Sequence, residues 1–144
     1  MKIDRITSTS TALFEALEKL LPQLSTSATT PSTEHIEELL HNDNTHLFVA
    51  KIEGKIVGML TLVVVDIPTG RKAWIEDVVV DEAARGLHIG AALVEHAKDE
   101  AQRLGAKKIY LTSNPSRKAA HALYSKCGFG EYDTAVFRLN LATK

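Results

Sequence analysis

Trp74 to Leu93, WIEDVVVDEAARGLHIGAAL, constrains the fold of this chain more than any other stretch. Trp74 to Val80 is apolar and β-branched, which suits a buried strand. Arg85, Gly86 and Gly90 then mark a tight basic turn. Ile89, Leu93, Val94, Ala97, Ala101 and Leu104 recur at helical spacing, and Gly105 stops that helix. The first turn of a helix has backbone N–H groups without partners, at the partly positive end of its dipole. A glycine-bearing turn feeding such an end can cradle phosphates. The same residues also suit an ordinary strand–turn–helix connection, because glycine motifs alone are loose signals.

A second segment, Asn114 to Phe129, reads NPSRKAAHALYSKCGF. The run V-V-V-D followed by R-G-L-H-I-G, and the later A-L-Y-S-K-C-G-F, resemble in order and spacing the two cofactor segments of the GNAT superfamily of N-acetyltransferases. That family's loop pattern is Arg/Gln-x-x-Gly-x-Gly/Ala. Arg85 and Gly90 match it, and His88 stands where Gly is usual. The resemblance spans residues 47–139, with the first third of the chain similar in layout only.

The resemblance implies acetyl-coenzyme A as co-substrate. Backbone amides from Arg85, Gly86, Leu87, His88, Ile89, Gly90 and Ala91 would hold the pyrophosphate, with added charge from Arg85. The backbone of Val78, Val79 and Val80 would pair with the pantetheine arm, and Asn114 would hydrogen-bond it. Arg117, Lys118 and Lys126 would reach the nucleotide phosphates or remain solvated helix charges. A β-carbon at position 88 crowds a close backbone approach. A protonated imidazole there attracts phosphate, so binding is expected to survive.

The 144 residues read as one domain, 1–144. Apolar and charged fractions of 44% and 24% are those of an ordinary globule. A net charge of −1 argues against bulk binding to nucleic acid or to an anionic membrane. The single cysteine, Cys127, cannot close an internal disulfide and fits a reducing compartment. The N-terminus MKIDRI has no apolar signal core and no run reaches membrane-spanning length, so a cytoplasmic location is expected.

Read in order, Lys2 to Ile6 is a short strand, followed by the hydroxyl-rich cap Thr7 to Thr11. Leu13, Leu17, Leu20, Leu21 and Leu24 mark one helical face, which Pro22 ends or kinks. Gln23 to Pro31 reads as a surface loop, which the resemblance would make a lid on the acceptor side. Ser32 or Thr33 caps a second helix carrying Ile36, Leu39 and Leu40. Leu47 to Ile52 and Ile56 to Val65 form a hairpin, with Arg71 to Val80 as the next strand. Lys108 to Thr112 is a short strand that closes a right-handed, locally parallel βαβ unit. Asn114-Pro115 opens the last helix, Gly128 caps it, and Tyr132 to Leu141 alternates as a final strand. The expected class is α/β with a mixed, mostly antiparallel sheet, one parallel βαβ unit and helices on both faces. This agrees with the GNAT fold that the resemblance implies.

Acetyl transfer to an amine needs a base for the amine proton, a donor for the thioester oxygen and an acid for the departing thiolate. Glu76 is the candidate base, because its strand runs directly into the phosphate turn. A carboxylate that only orients substrate is the plain alternative. Asp77 is expected on the opposite strand face unless a bulge intervenes. The I-E-D-V string resembles glucosamine-phosphate N-acetyltransferases locally. Tyr124 is the candidate general acid: its phenol is protonated at neutral pH, and the resemblance gives that motif position this role. Cys127 reads as a small core residue, and the six histidines show no metal-ligand spacing.

The leading expectation is an N-acetyltransferase acting on a small primary amine by direct attack in a ternary complex. Acetylation of a protein lysine or N-terminus is the alternative within the enzyme class. A non-catalytic acyl-coenzyme A-binding module is the alternative outside it. The resemblance also allows a homodimer, since many family members dimerise.

Overall fold

The computed structural model describes residues 1–141. Its elements are β1 (Lys2–Ile6), α1 (Thr11–Leu24), α2 (Thr33–His41), β2 (Thr45–Ile52), β3 (Lys55–Ile67), β4 (Gly70–Val80), α3 (Ile89–Arg103), β5 (Ile109–Tyr110) and α4 (Lys118–Lys126). The five strands form one sheet in the order β1-β2-β3-β4-β5. Every neighbouring pair is antiparallel except β4 with β5, which is parallel across the α3 crossover.

Strand alternation divides the core in two. In β2, Phe48 and Ala50 point to the side of α3, where they pack with Leu60, Leu62, Ile75, Leu93 and Val94. Leu47 and Val49 point to the opposite side and meet Leu13, Leu17 and Leu20 of α1 and Ile36 of α2. Helices therefore cover both faces, as the apolar periodicities predict. Burying a side chain such as Leu93 or Leu20 stabilises the fold by about 1.5–3 kcal/mol each. Gly58 lets α3 lie close on β3: a β-carbon there would come within 3.2 Å of Leu93 and 3.3 Å of Ile89.

Local chemistry explains the boundaries. Ser10 accepts from the Leu13 N–H at 3.1 Å and Ser32 from the His35 N–H at 3.1 Å, which caps α1 and α2. Glu53 and Gly54, both at positive φ, make the β2–β3 turn of the primed type that matches strand twist. Asp66 pairs with Arg71 at 2.7 Å across the β3–β4 turn, and Arg71 also donates to the Leu104 carbonyl at the end of α3.

Four expectations are corrected. Pro22 does not end α1, which continues to Leu24. Its missing N–H removes one helical bond, and the helix ends two residues later. Gln23 is therefore helical and not part of the following loop. The last helix opens at Lys118 rather than at Asn114-Pro115. The Asn114 carboxamide oxygen accepts from the Ser116 N–H at 2.9 Å, and the Asn114 carbonyl accepts from the Arg117 N–H at 2.9 Å, so this segment closes a turn first. β5 keeps only Ile109 and Tyr110 of the expected Lys108 to Thr112. Tyr132 to Leu141 forms no strand, because no ladder partner lies beside it among the described residues.

Candidate active site

The site begins with a bulge in β4. Met59 faces Val79 and Thr61 faces Glu76, so two steps along β3 correspond to three along β4. Asp77 absorbs the extra residue at φ +50°, a left-handed conformation uncommon for a non-glycine. The bulge reverses the alternation. Ile75 faces the α3 core, while Val79 faces the α1 core and Val78 and Val80 pack toward α3. Asp77 is thus not a simple opposite-face neighbour of Glu76. Both carboxylates are exposed. Desolvation first and the Asp77 charge second raise the Glu76 pKa above the usual carboxylate range.

β4 and β5 pair only through Ala73–Ile109 and Trp74–Tyr110, whose rings stack at 5.1 Å. Beyond this point the strands part. Val79 and Val80 therefore have a ladder partner on the β3 side, Val78 lies within the bulge, and none of the three has a partner on the β5 side among the described residues. This opening leads into a cleft between the end of β4, the loop before α3, and α4.

The cleft consists of two adjoining cavities of about 480 Å³ and about 390 Å³. Val80, Arg85, Gly90, Ala119 and Leu123 belong to the walls of both. Val78, Val79, Arg117 and Tyr124 line the first, with Gln23, Leu24, Ser116 and Lys118. Gly86, His88, Ile89, Ala91 and Lys126 line the second. Leu87, Asn114 and Glu76 lie outside both walls, Leu87 largely exposed and Glu76 two residues upstream of the lining valines. The walls carry Arg85, Arg117, Lys118, Lys126 and His88, and no carboxylate. None of the four Arg and Lys side chains forms an ion pair among the described residues.

The loop reaches its shape through two residues in the left-handed region. Gly86 has φ +86° and His88 has φ +60° as the N-cap of α3, with no side-chain cap bond. The first backbone bond of α3 runs from the Ala92 N–H to the His88 carbonyl, leaving the N–H groups of Ile89, Gly90 and Ala91 free of helical partners. Gly90 has a different role. A β-carbon there would come within 3.1 Å of Leu123, so its absence lets α4 approach α3.

Tyr124 is half-buried in the cleft wall, its ring set edge-on to Phe129 at 6.1 Å. Burial raises its pKa, with Arg117 opposing, so the phenol keeps its proton at neutral pH. Cys127 is buried against the α3 core and its thiol pKa is raised chiefly by burial, the reverse of an activated nucleophile.

Residue patterns alone miss how the loop is anchored. Asp81, buried, pairs with Lys19 of α1 at 2.9 Å and accepts from the Ala83 N–H at 3.2 Å. Lys19 above all holds the Asp81 pKa below the usual carboxylate range. Gln23 accepts from the Glu82 N–H at 2.9 Å. The two ties to α1 span about sixty residues of sequence, and only the Asp before E-A-A hints at them, as a turn cap.

The chain belongs to the acetyltransferase (GNAT) family, whose profile matches residues 11–129. It is 32% identical over 93 residues to an aminoalkylphosphonate N-acetyltransferase of Salmonella typhimurium, covering 62% of this chain and 60% of that protein. It is 40% identical over 62 residues to a probable glucosamine 6-phosphate N-acetyltransferase of rice, covering 43% of this chain and 36% of that protein. The chain thus spans less than two thirds of these relatives, 60% of the first and 36% of the second. Its fold superposes on an aminoglycoside acetyltransferase from an uncultured soil metagenomic sample with a TM-score of 0.87 at 25% identity, covering 98% and 96% of the two chains. No helix among the described residues is long and apolar enough to cross a membrane. No group of three or more His, Cys, Asp or Glu among them could hold a metal ion.

Proposed function

We propose that this protein transfers the acetyl group of acetyl-coenzyme A to a small primary amine by direct attack in a ternary complex. The observation that carries the reading is the cleft wall, with four Arg and Lys side chains unpaired among the described residues and no carboxylate, beside a stretch of β4 that lacks a ladder partner on its β5 side. Such a groove fits a long thioester with a polyanionic end. Arg85, Arg117, Lys118 and Lys126 would hold the phosphates, together with the N–H groups from Gly86 to Ala91. The open edge of Val78 to Val80 would take the amide-bearing arm as an added strand, assisted by Asn114. Bound acetyl-coenzyme A supplies an activated acyl carbon. Glu76 takes the proton from the incoming amine, directly or through one water, and its raised pKa suits a base. A backbone N–H of the Val78–Val80 segment holds the thioester oxygen as charge develops. Tyr124 gives its proton to the departing sulfur. Similar proteins are named for glucosamine 6-phosphate, aminoalkylphosphonates and aminoglycosides, which supports a small acceptor.

The test is thiol release from acetyl-coenzyme A across a panel of small primary amines. Tyr124→Phe should lower kcat by about 10²-fold, while its acetyl-coenzyme A affinity stays within about twofold of wild type, well under the 1.4 kcal/mol of a tenfold change. An unchanged kcat removes the assigned role of Tyr124. Binding without thiol release for every amine would leave an acyl-coenzyme A-binding module.

A further inference from the structure

Lys72, Trp74 and Glu76 alternate onto one face of β4, because the register against β3 is unbroken from Gly70 to Glu76. Ala73 and Ile75 take the other face and enter the core under α3. Parallel pairing sets Tyr110 beside Trp74, and the same alternation puts Lys108 on the face of Tyr110, next to Lys72. The core beneath α1 and α2 reaches Met59 and Val79 and includes none of these side chains. This part of the sheet is a floor that neither core covers: two lysines, then two stacked rings, then a carboxylate.

The two ends of the floor carry opposite charge. The Lys72 ammonium leans over the rings, 5.8 Å from the Trp74 centroid and 5.2 Å from that of Tyr110. Neither Lys72 nor Lys108 forms an ion pair among the described residues. Tyr132 packs edge-on against Tyr110 at 6.0 Å and walls the outer side. Two ammonium groups without a carboxylate partner, at one end of an aromatic floor, make a seat for a ligand anion. Two strand residues, about 7 Å, separate Trp74 from Glu76, which suits a short chain with an anion at one end and an amine at the other.

We propose that the acceptor amine carries a phosphate-like anion, which Lys72 and Lys108 hold over Trp74 and Tyr110 while the amine reaches Glu76. The inference rests on acetyl transfer at Glu76 as proposed above, and it names the acceptor's second functional group.

Trp74 is the only tryptophan of the chain, so its emission reports the seat without acetyl transfer. Aminopropyl phosphate should change that emission saturably, at a concentration at least about tenfold below that needed for the matching aminopropanol, which lacks only the phosphate. In thiol release from acetyl-coenzyme A, the phosphate-bearing amine should have a kcat/KM at least about tenfold higher. Lys72→Gln with Lys108→Gln should bring both ratios to within about twofold of unity. Equal responses to the two amines, or none, would overturn the proposal, as would a phosphate preference that survives the double substitution. Saturable emission without thiol release would uphold the anion seat and remove the acetyl transfer, whereas equal thiol release from both amines would do the reverse.

Discussion

Glu76, His46 and His88 each carry a cost that function or packing must offset. Glu76 has a raised pKa in the folded protein, so the fold favours its neutral form, and stability falls as pH rises through that pKa. Glu76→Gln should lower kcat. In wild type, log kcat/KM should decline on acidification from a pH above the ordinary carboxylate range, and this limb should vanish in Glu76→Gln; an unaltered profile would remove Glu76 as base. His46 is buried with its Nδ1 unpartnered, and burial lowers its pKa. The unfolded chain binds that proton more readily, so stability is present above about pH 6.5 and is lost as pH falls below it. His46→Leu should flatten the melting temperature between about pH 7 and 5, the range around the free imidazole value. His88 adopts the left-handed conformation at φ +60°, which costs a β-carbon-bearing residue about 1–2 kcal/mol. His88→Gly should preserve or tighten acetyl-coenzyme A affinity, and a large loss would identify the imidazole as a phosphate ligand. The resemblance placed His88 where glycine is usual, while the positive φ that explains the preference is visible only in the folded loop.

Elements with strong local signals were legible. Ile89 to Ala101 specify α3 through period alone, and Glu53-Gly54 specify the hairpin turn. Elements whose extent depends on a partner were not. β5 is cut to two residues because β4 diverges from it, and the 132–141 segment has the strand pattern without the ladder. The β4 bulge was equally hidden, since the string I-E-D-V-V-V reads as unbroken alternation-tolerant strand; only the register against β3 reveals the extra residue. The tie between α1 and the loop, through Lys19, Gln23 and Asp81, makes a test at this scale. Asp81→Ala should cost about 1–3 kcal/mol at pH 7, by loss of charge-assisted bonds at a buried carboxylate. Because the folded pKa of Asp81 is lowered, that contribution is present above the ordinary Asp value and disappears as pH falls through the folded one. Denaturant unfolding at pH 7 and pH 3 should show the two proteins converging in acid.

Across the whole molecule, two cores hold one sheet rigid while its β4–β5 margin opens over a cationic cleft. Thirteen of the residues singled out from sequence line that cleft; Glu76, Leu87 and Asn114 flank it outside the walls. Their convergence was readable as motif spacing, whereas Gln23 and Leu24 reach the cleft from the last turn of α1, where a loop starting at Gln23 was expected. The cations act at short range, so affinity for a polyanionic ligand should fall as ionic strength rises. Calorimetric titration with acetyl-coenzyme A tests this account most directly. Micromolar binding, about −8 kcal/mol, weakened at least tenfold in Arg85→Ala with Arg117→Ala, is the predicted result. No heat of binding up to millimolar ligand, or an affinity indifferent to both arginines, would contradict it.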